Sequence, residues 1–306
     1  MLHLGRLQLL REVVQRGTVR AAAEALHISP SAVSQQLGLL AGETGLTLFE
    51  RVGRRLRPTE AALRLAEHGD VIAGAIAAAE ADLARLRGHL FGTLRLAAFP
   101  TAARTLLPGV MAALGRRHPN LQITLRDLEA DESLVGLATD DLDLALVDEY
   151  AEAEIDWPRG IVRRLVLEDP LFLALPPDWP ESGAVRLADL AEAPWIMDTE
   201  TSHLYRVVVA ACRAAGFRPA VRSHCKDYAV ILALVAAGLG VAMVPGLAVR
   251  GRDVTVRLQP FAPPAARRIV AAVRRERLAH PAIAETLAVL ERIGRGEGPS
   301  AAGRPP

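Results

Sequence analysis

GTVRAAAEALHISPSAVSQQL, residues 17–37, is the stretch whose reading decides the fold. Gly17 interrupts a helical pattern, and Thr18 is a good N-cap for a short helix over 19–26 whose alanines leave room for close packing. His27 and Ile28 make a tight turn. Ser29 then caps a third helix with Pro30 in its first position, where the missing N–H costs nothing. Two short helices joined by such a turn predict a helix-turn-helix, whose second helix lies in a DNA major groove. In that helix Val33, Leu37 and Leu40 form the inward face. Ser31, Ala32, Ser34, Gln35 and Gln36, short or amide-bearing, gather near its N-terminus, within reach of phosphates or base edges.

Upstream, Leu4, Leu7, Leu10 and Val14 fall on one face of a first amphipathic helix over 4–15. Downstream, LTLFERVGRRLRPT alternates apolar and basic residues around a Val52–Gly53 turn and predicts a small β-wing, with Arg51, Arg54 and Arg55 suited to the phosphate backbone. Residues 1–60 carry eight arginines against five glutamates, a basic unit on a chain of net charge +1. Thr59 opens a long proline-free helical segment reaching to about Leu90. Leu65, Ile72, Ile76, Ala79, Leu83, Leu86 and Leu90 recur there at heptad steps, and such a seam calls for a partner helix. Gly69, Gly74 and Gly88 weaken it, so dimer packing rather than propensity is expected to hold it.

Beyond Gly92 strand-like and helical segments alternate, the pattern of an α/β fold with largely parallel sheets. Strands are expected at 93–99, 121–127, 142–148, 171–176, 194–198, 240–245 and 268–273, and helices near 101–118, 131–139, 202–215, 227–237 and 280–293. The Gly- and Pro-rich end, 294–306, reads as disordered. The N-terminus has no signal-peptide pattern and no run of about 18 uncharged apolar residues occurs, so a cytoplasmic protein without a membrane span is expected. Cys212 and Cys225 lack metal-ligand spacing and read as small buried hydrophobes. His203, His224 and Asp227 make neither a metal set nor a catalytic dyad, and no Gly-rich nucleotide motif is present. No cofactor is expected.

The A-A-x-x-L helix, the S-x-S-A-V-S-Q-Q-L helix, the L-F-E-R-x-x-R-R wing and the T-E-A start of the long helix together resemble the DNA-binding unit of LysR-type transcriptional regulators. LRLAAFPTAARTLLP, DLDLALVDEY and VAAGLGVAMVP are similar, less closely, to the same family's effector domain. The resemblance implies an α+β multidomain chain: a winged helix-turn-helix at 1–58, a linker and dimerisation helix at 59–91, and a two-lobed α/β effector domain at 92–293. That domain is of the periplasmic-binding-protein type, with lobe I at 92–164 and 267–293 and lobe II at 165–266. It further implies that Ser31, Ala32 and Gln35 face base edges, and that Ser29, Ser34, Arg51, Arg54 and Arg55 hold phosphates.

In open α/β sheets a ligand sits beyond the carboxyl ends of strands, at helix N-termini. Pro100, Thr101, Ala102, Asp148, Thr201, Ser202 and Asp227 occupy such places. Thr101 and Ser202 would suit an anionic or polar effector, Asp148 and Asp227 an amine or hydroxyl. The resemblance implies a homodimer or homotetramer on double-stranded DNA, controlled by a small effector and in contact with RNA polymerase. A solute receptor, or an enzyme working in the cleft, is the alternative. The absence of an export signal and of a nucleophile–base–orienter set weighs against both.

Overall fold

A computed structural model of the chain describes residues 2–26, 28–52, 55–87, 90–151, 155–180, 185–252, 255–260 and 265–296. The head is built from α1 (Leu4–Arg16), α2 (Val19–Ala25), α3 (Pro30–Thr44) and a hairpin of β1 (Phe49–Val52) and β2 (Arg55–Pro58). The caps are those the side chains favour: Thr18 Oγ1 accepts the Ala21 N–H at 3.1 Å and Ser29 Oγ the Ala32 N–H at 3.2 Å. Gly45 ends α3 at φ 68°, in the left-handed region that glycine enters without strain. The helix therefore runs four residues past Leu40, through Gly38 and Gly42. Leu10, Val13, Ala22, Val33, Leu37 and Leu40 close a small core. The hairpin pairs Phe49 with Pro58 through Val52 with Arg55. Residue 27 of the helix–helix turn and 53–54 of the wing turn lie outside the described residues.

Helix α4 (Glu60–Arg87) follows, 28 residues spanning about 42 Å. Thr59 caps it by accepting the Ala62 N–H at 3.3 Å. The expected seam is narrower in the structure. Leu65 packs on the head core and Leu90 is buried in the next domain, while Ile72 and Ile76 are each 37% exposed and Leu83 55%. The ends of the pattern serve the flanking domains and its middle faces solvent. The Leu86 side chain and residue 88 lie outside the described residues.

The remainder comprises β3 (Gly92–Ala98), α5 (Pro100–Thr105), α6 (Leu107–Arg117), β4 (Leu121–Asp127), α7 (Ala130–Ala138), β5 (Leu144–Glu149), β6 (Ile161–Leu175), β7 (Pro194–Met197), α8 (His203–Ala214), β8 (Ala220–His224), α9 (Tyr228–Ala236), β9 (Ala242–Pro245), α10 (Gly246–Val249), β10 (Arg257–Pro260), β11 (Ala266–Arg274) and α11 (Pro281–Gly294). Lobe I is the sheet β4-β3-β5-β11-β6 with apolar clusters on both faces, which is why β5 is an unbroken apolar run from Leu144 to Val147. In lobe II, β10-β6-β9 form one sheet and β7-β8 another, around Trp195, Leu173, Val208, Ile231 and Val244.

The sheets are mixed rather than largely parallel. β3 runs parallel to β4 and β5, but β11 is antiparallel to β5 and β6, and β6 to β9 and β10. The long strands that carry the chain between the lobes impose this. β6 pairs with β11 through residues 161–170 and with β9 and β10 from Leu171 on, so one 15-residue strand serves both lobes. The expected helix at 101–118 is two, α5 and α6. α11 extends to Gly294, and 297–306 lie outside the described residues. Among the described residues no helix is long and apolar enough to cross a membrane.

The head is fastened to lobe I by charge. Arg11 pairs with Asp140 at 3.1 Å and Asp70 at 3.6 Å, and Arg16 with Asp141 at 2.9 Å while also donating to the Thr139 carbonyl. Arg274 reaches Asp70 at 3.5 Å and Asp140 at 3.9 Å. Arg11 and Arg274 are buried here, and Asp140 holds φ at 58°, an uncommon conformation for a residue with a Cβ.

Candidate nucleic-acid interface and inter-lobe cleft

The front of α3 is its N-terminal turn. Ser29, Ser31, Ser34 and Gln35 are exposed and Ala32 half-buried. Ser29 Oγ lies 2.9 Å from Ser31 Oγ, and Ser34 Oγ donates to the Pro30 carbonyl at 3.0 Å. Ser31 and Gln35, four residues apart, share one helical face. Gln36 is occupied: its Oε1 accepts from Arg6 Nε at 3.0 Å, fixing α3 against α1. On the wing, Arg51 and Arg55 lie on paired strands, but their side chains, like all of Arg54, fall outside the described residues. Arg57, absent from the expected set, is exposed on β2. The alternation that placed the other wing arginines was the signal for it too.

Two adjoining cavities lie between the lobes, one of about 270 Å³ and an outer one of about 410 Å³, sharing Pro100, Thr101, Glu129, Glu132, Lys226 and Tyr228 in their walls. The inner cavity ends on a buried network around Arg267. Its guanidinium pairs with Asp148 at 3.1 Å and Asp169 at 2.9 Å, donates to Thr101 Oγ1 at 2.8 Å and stacks on Phe99 at 4.8 Å. Burial opposes its charge, but its anionic and phenolic neighbours outweigh burial and raise it above the ordinary arginine value. Asp169 also accepts the Leu247 N–H at 2.9 Å, and a Cβ on Gly246 would come within 2.7 Å of that oxygen, so α10 seats here only with glycine at its start. Arg104 on α5 binds the carbonyls of Leu247, Ala248 and Arg250, a second tie at the lobe junction.

The expected effector residues are not all brought together. Pro100 and Thr101 line both cavities, but the Thr101 hydroxyl is already held by Arg267. Asp148, Thr201 and Ser202 line the inner cavity, with Asp148 paired to Arg267 and Ser202 capping α8 through the Tyr205 N–H at 3.0 Å. Asp227 lines the outer cavity and caps α9 through the Ala229 N–H at 2.8 Å. Ala102 lines neither; it packs into the lobe I core, on the inner face of a helix that turns Pro100, Thr101 and Arg104 to the cleft.

Glu129, Tyr150, Asp198, Lys226, Tyr228 and Arg267 also line the inner cavity and were not among those expected. Glu129 stands at the N-cap of α7 yet accepts no capping hydrogen bond. Burial, then the Asp148 and Asp198 carboxylates, push it up to about 7. Asp198 accepts from the Thr199 N–H at 2.7 Å and the Tyr228 hydroxyl at 3.2 Å. The Tyr150 hydroxyl lies buried beside Asp148 and Arg267. Only the acid after a strand end, the pattern that selected Asp148, signalled Asp198 in the sequence. Among the described residues no three His, Cys, Asp or Glu side chains are placed to hold a metal ion. Cys212 and Cys225 are free thiols, and burial pushes Cys212 up to about 12.

Residues 4–63 match the family model described as the bacterial regulatory helix-turn-helix protein, lysR family, and residues 87–294 match the LysR substrate binding domain. The transcriptional dual regulator GltC of Bacillus subtilis (strain 168) is 28% identical over 247 residues, 80% of this chain and 81% of GltC. Among solved structures, a full-length, singly substituted OxyR from Pseudomonas aeruginosa superposes with a TM-score of 0.68 at 21% identity, over 96% of this chain and 95% of that one. Full-length CbnR in complex with its target DNA gives a TM-score of 0.54 at 21% identity, over 96% and 100%.

Proposed function

Because the chain belongs to the LysR family of bacterial transcriptional regulators, we propose that its head, residues 1–58, reads double-stranded DNA through the front of α3 while the β1–β2 wing holds the backbone. Residues 59–91 join two copies, and residues 92–293 bind a small effector between their lobes. In the head, Ser31, Ala32 and Gln35 meet base edges, and Ser29, Ser34, Arg51, Arg54 and Arg55 hold phosphates. The exposure of Gln35 on the same face as Ser31, with its neighbour Gln36 tied inward to Arg6, carries this reading. A glutamine so placed can pair bidentately with adenine, and an alanine can pack on a thymine methyl.

In the effector domain, Pro100, Thr101, Asp148, Thr201, Ser202 and Asp227 contribute to the site, joined by Glu129, Tyr150 and Asp198. Ligand drawn between the lobes shifts the balance between their open and closed arrangements. Lobe I carries that shift to α4 and the head through the Arg11, Arg16 and Arg274 pairs. The protein works on chromosomal DNA in the cytoplasm, as a dimer or a tetramer of two such dimers, in contact with RNA polymerase, and turns over no substrate.

Binding to fragments of the gene's own upstream region, at several salt concentrations, tests the reading. Wild type should select one fragment. Gln35→Ala should lose discrimination worth about 1–3 kcal/mol. Arg51→Ala should weaken all sequences alike and flatten the salt slope by about one. Equal binding of every fragment by wild type would leave the cleft as the functional part, with the receptor reading in its place.

A further inference from the structure

We infer that Arg6 is a positioning residue for DNA reading, one that turns Gln36 into a one-way hydrogen-bond donor favouring guanine, or thymine O4, beside the base met by Gln35. The inference rests on the reading of α3 as the DNA-contacting helix and adds to it a second, differently coded glutamine. Arg6 sits half-buried in the first turn of α1, and its guanidinium spans two residues of α3. Nε donates to Gln36 Oε1 at 3.0 Å, and a terminal nitrogen pairs with Glu43. Arginine has no acceptor, so the atom of Gln36 that faces it must be the oxygen. The partner thereby decides which way the amide is turned. The carbonyl, with its lone pairs, faces α1, and the N–H2 is left as the free edge. Among the described residues Nε2 meets no acceptor, and Gln36 is half-buried rather than sealed into the core.

The place of Gln36 on α3 makes that edge useful. It lies one turn beyond Ala32 on the same helical face, and Ala32 is among the residues set against base edges. Gln35, about 100° round the helix, is exposed and makes no side-chain hydrogen bond among the described residues. Its amide can present donor and acceptor together, as adenine N6 and N7 require. With donors alone to offer, Gln36 suits acceptors. In the major groove guanine shows two, O6 and N7, and thymine one, O4, whereas adenine sets N7 beside a donor and cytosine shows only the N4 donor. Two neighbouring glutamines thus carry different codes, and the difference is made by an arginine 30 positions away. The contact with Glu43 has its own purpose. Between Gln36 and Glu43 the helix passes through Gly38 and Gly42, where a Cβ would meet nothing within 4 Å, so packing requires neither glycine and both loosen the helix. Arg6 holds a residue on either side of that stretch and keeps the Gln36 amide in register with the rest of α3.

The upstream fragment selected by the wild-type full-length protein is scanned one base pair at a time. Kd for each DNA variant is compared among wild type, Gln36→Met, Arg6→Ala and the double variant, and Tm is recorded for each protein. Wild type should prefer guanine or thymine over cytosine at one position by about fivefold, the worth of one neutral hydrogen bond. Gln36→Met should flatten that position alone. Arg6→Ala should reduce the same preference to about twofold or less and leave the position read by Gln35 unchanged. The double variant should discriminate no worse than either single one, the mark of one shared interaction. Because Arg6 also steadies the head, Gly42→Ala is added to Arg6→Ala; it should recover Tm without recovering the preference. Recovery of both would make Arg6 a stabilising residue only and overturn the inference. Uniform weakening of every sequence in Gln36→Met, which places the amide on the phosphate backbone, overturns it too, as does a Gln36→Met protein that discriminates like wild type. In those outcomes selection of the upstream fragment by wild type keeps the regulator reading standing. A wild type that selects no fragment overturns that reading, and this inference with it.

Discussion

Arg267 draws the Thr101 hydroxyl, two acids and an aromatic ring into one contact, and it does so from the core. Removing it leaves Asp148 and Asp169 buried without a counter-charge. Arg267→Ala should therefore cost about 3–5 kcal/mol, read by urea unfolding of the variant beside wild type. Glu129 sets a pH dependence of opposite character to that of a salt-bridged acid. Its folded value, about 7, lies above its ordinary 4.5, because burial and the facing Asp148, Asp198 and Asp127 outweigh Lys226. The folded chain thus holds the extra proton between those values, and stability falls as pH rises through that window. Glu129→Gln should abolish this contribution, so its Tm relative to wild type should climb from about pH 5 to about pH 8. Thr18 and Ser29 were legible in the sequence because a cap is a matter of three residues. Arg267 was not, since its partner Thr101 is 166 positions away and nothing local marks a buried arginine.

At the scale of elements, periodicity located the helices within a few residues and lost the strands that do not bury a face. β8, Ala220–His224, alternates half-buried with exposed residues, and β10 is a four-residue edge. The first half of β6 carries Arg163, Arg164 and Glu168, polar because that end of the strand borders solvent. α4 makes the opposite case: a pattern longer than the face it describes. Its exposed middle, Ile72, Ile76 and Leu83, is what a partner helix would cover. Ile76→Glu with Leu83→Glu should leave the monomer fold intact and shift the protein to half its oligomeric mass in sedimentation. An unchanged mass would place the interface elsewhere.

For the whole molecule, the order of head, long helix and two lobes could be read from the sequence. The seating of head on lobe was not, because it rests on charges that a sequence shows only as a solvated surface. Arg11 and Arg274 are buried among acids from three parts of the chain. In calorimetry the head and lobe I should unfold together, and Arg11→Ala with Arg16→Ala should release a separate, earlier head transition. The strand β6, shared by both lobes, has a consequence of another kind. Lobe II closes its sheets from 171–260, in one piece, whereas lobe I, begun at Gly92, lacks an interior strand and a covering helix until β11 and α11 are made. On the ribosome the later lobe is therefore complete first. The apolar strands β3 and β5 wait roughly 7–40 s for α11 at ordinary elongation rates, which makes the unfinished first lobe the segment of the nascent protein most in need of a chaperone.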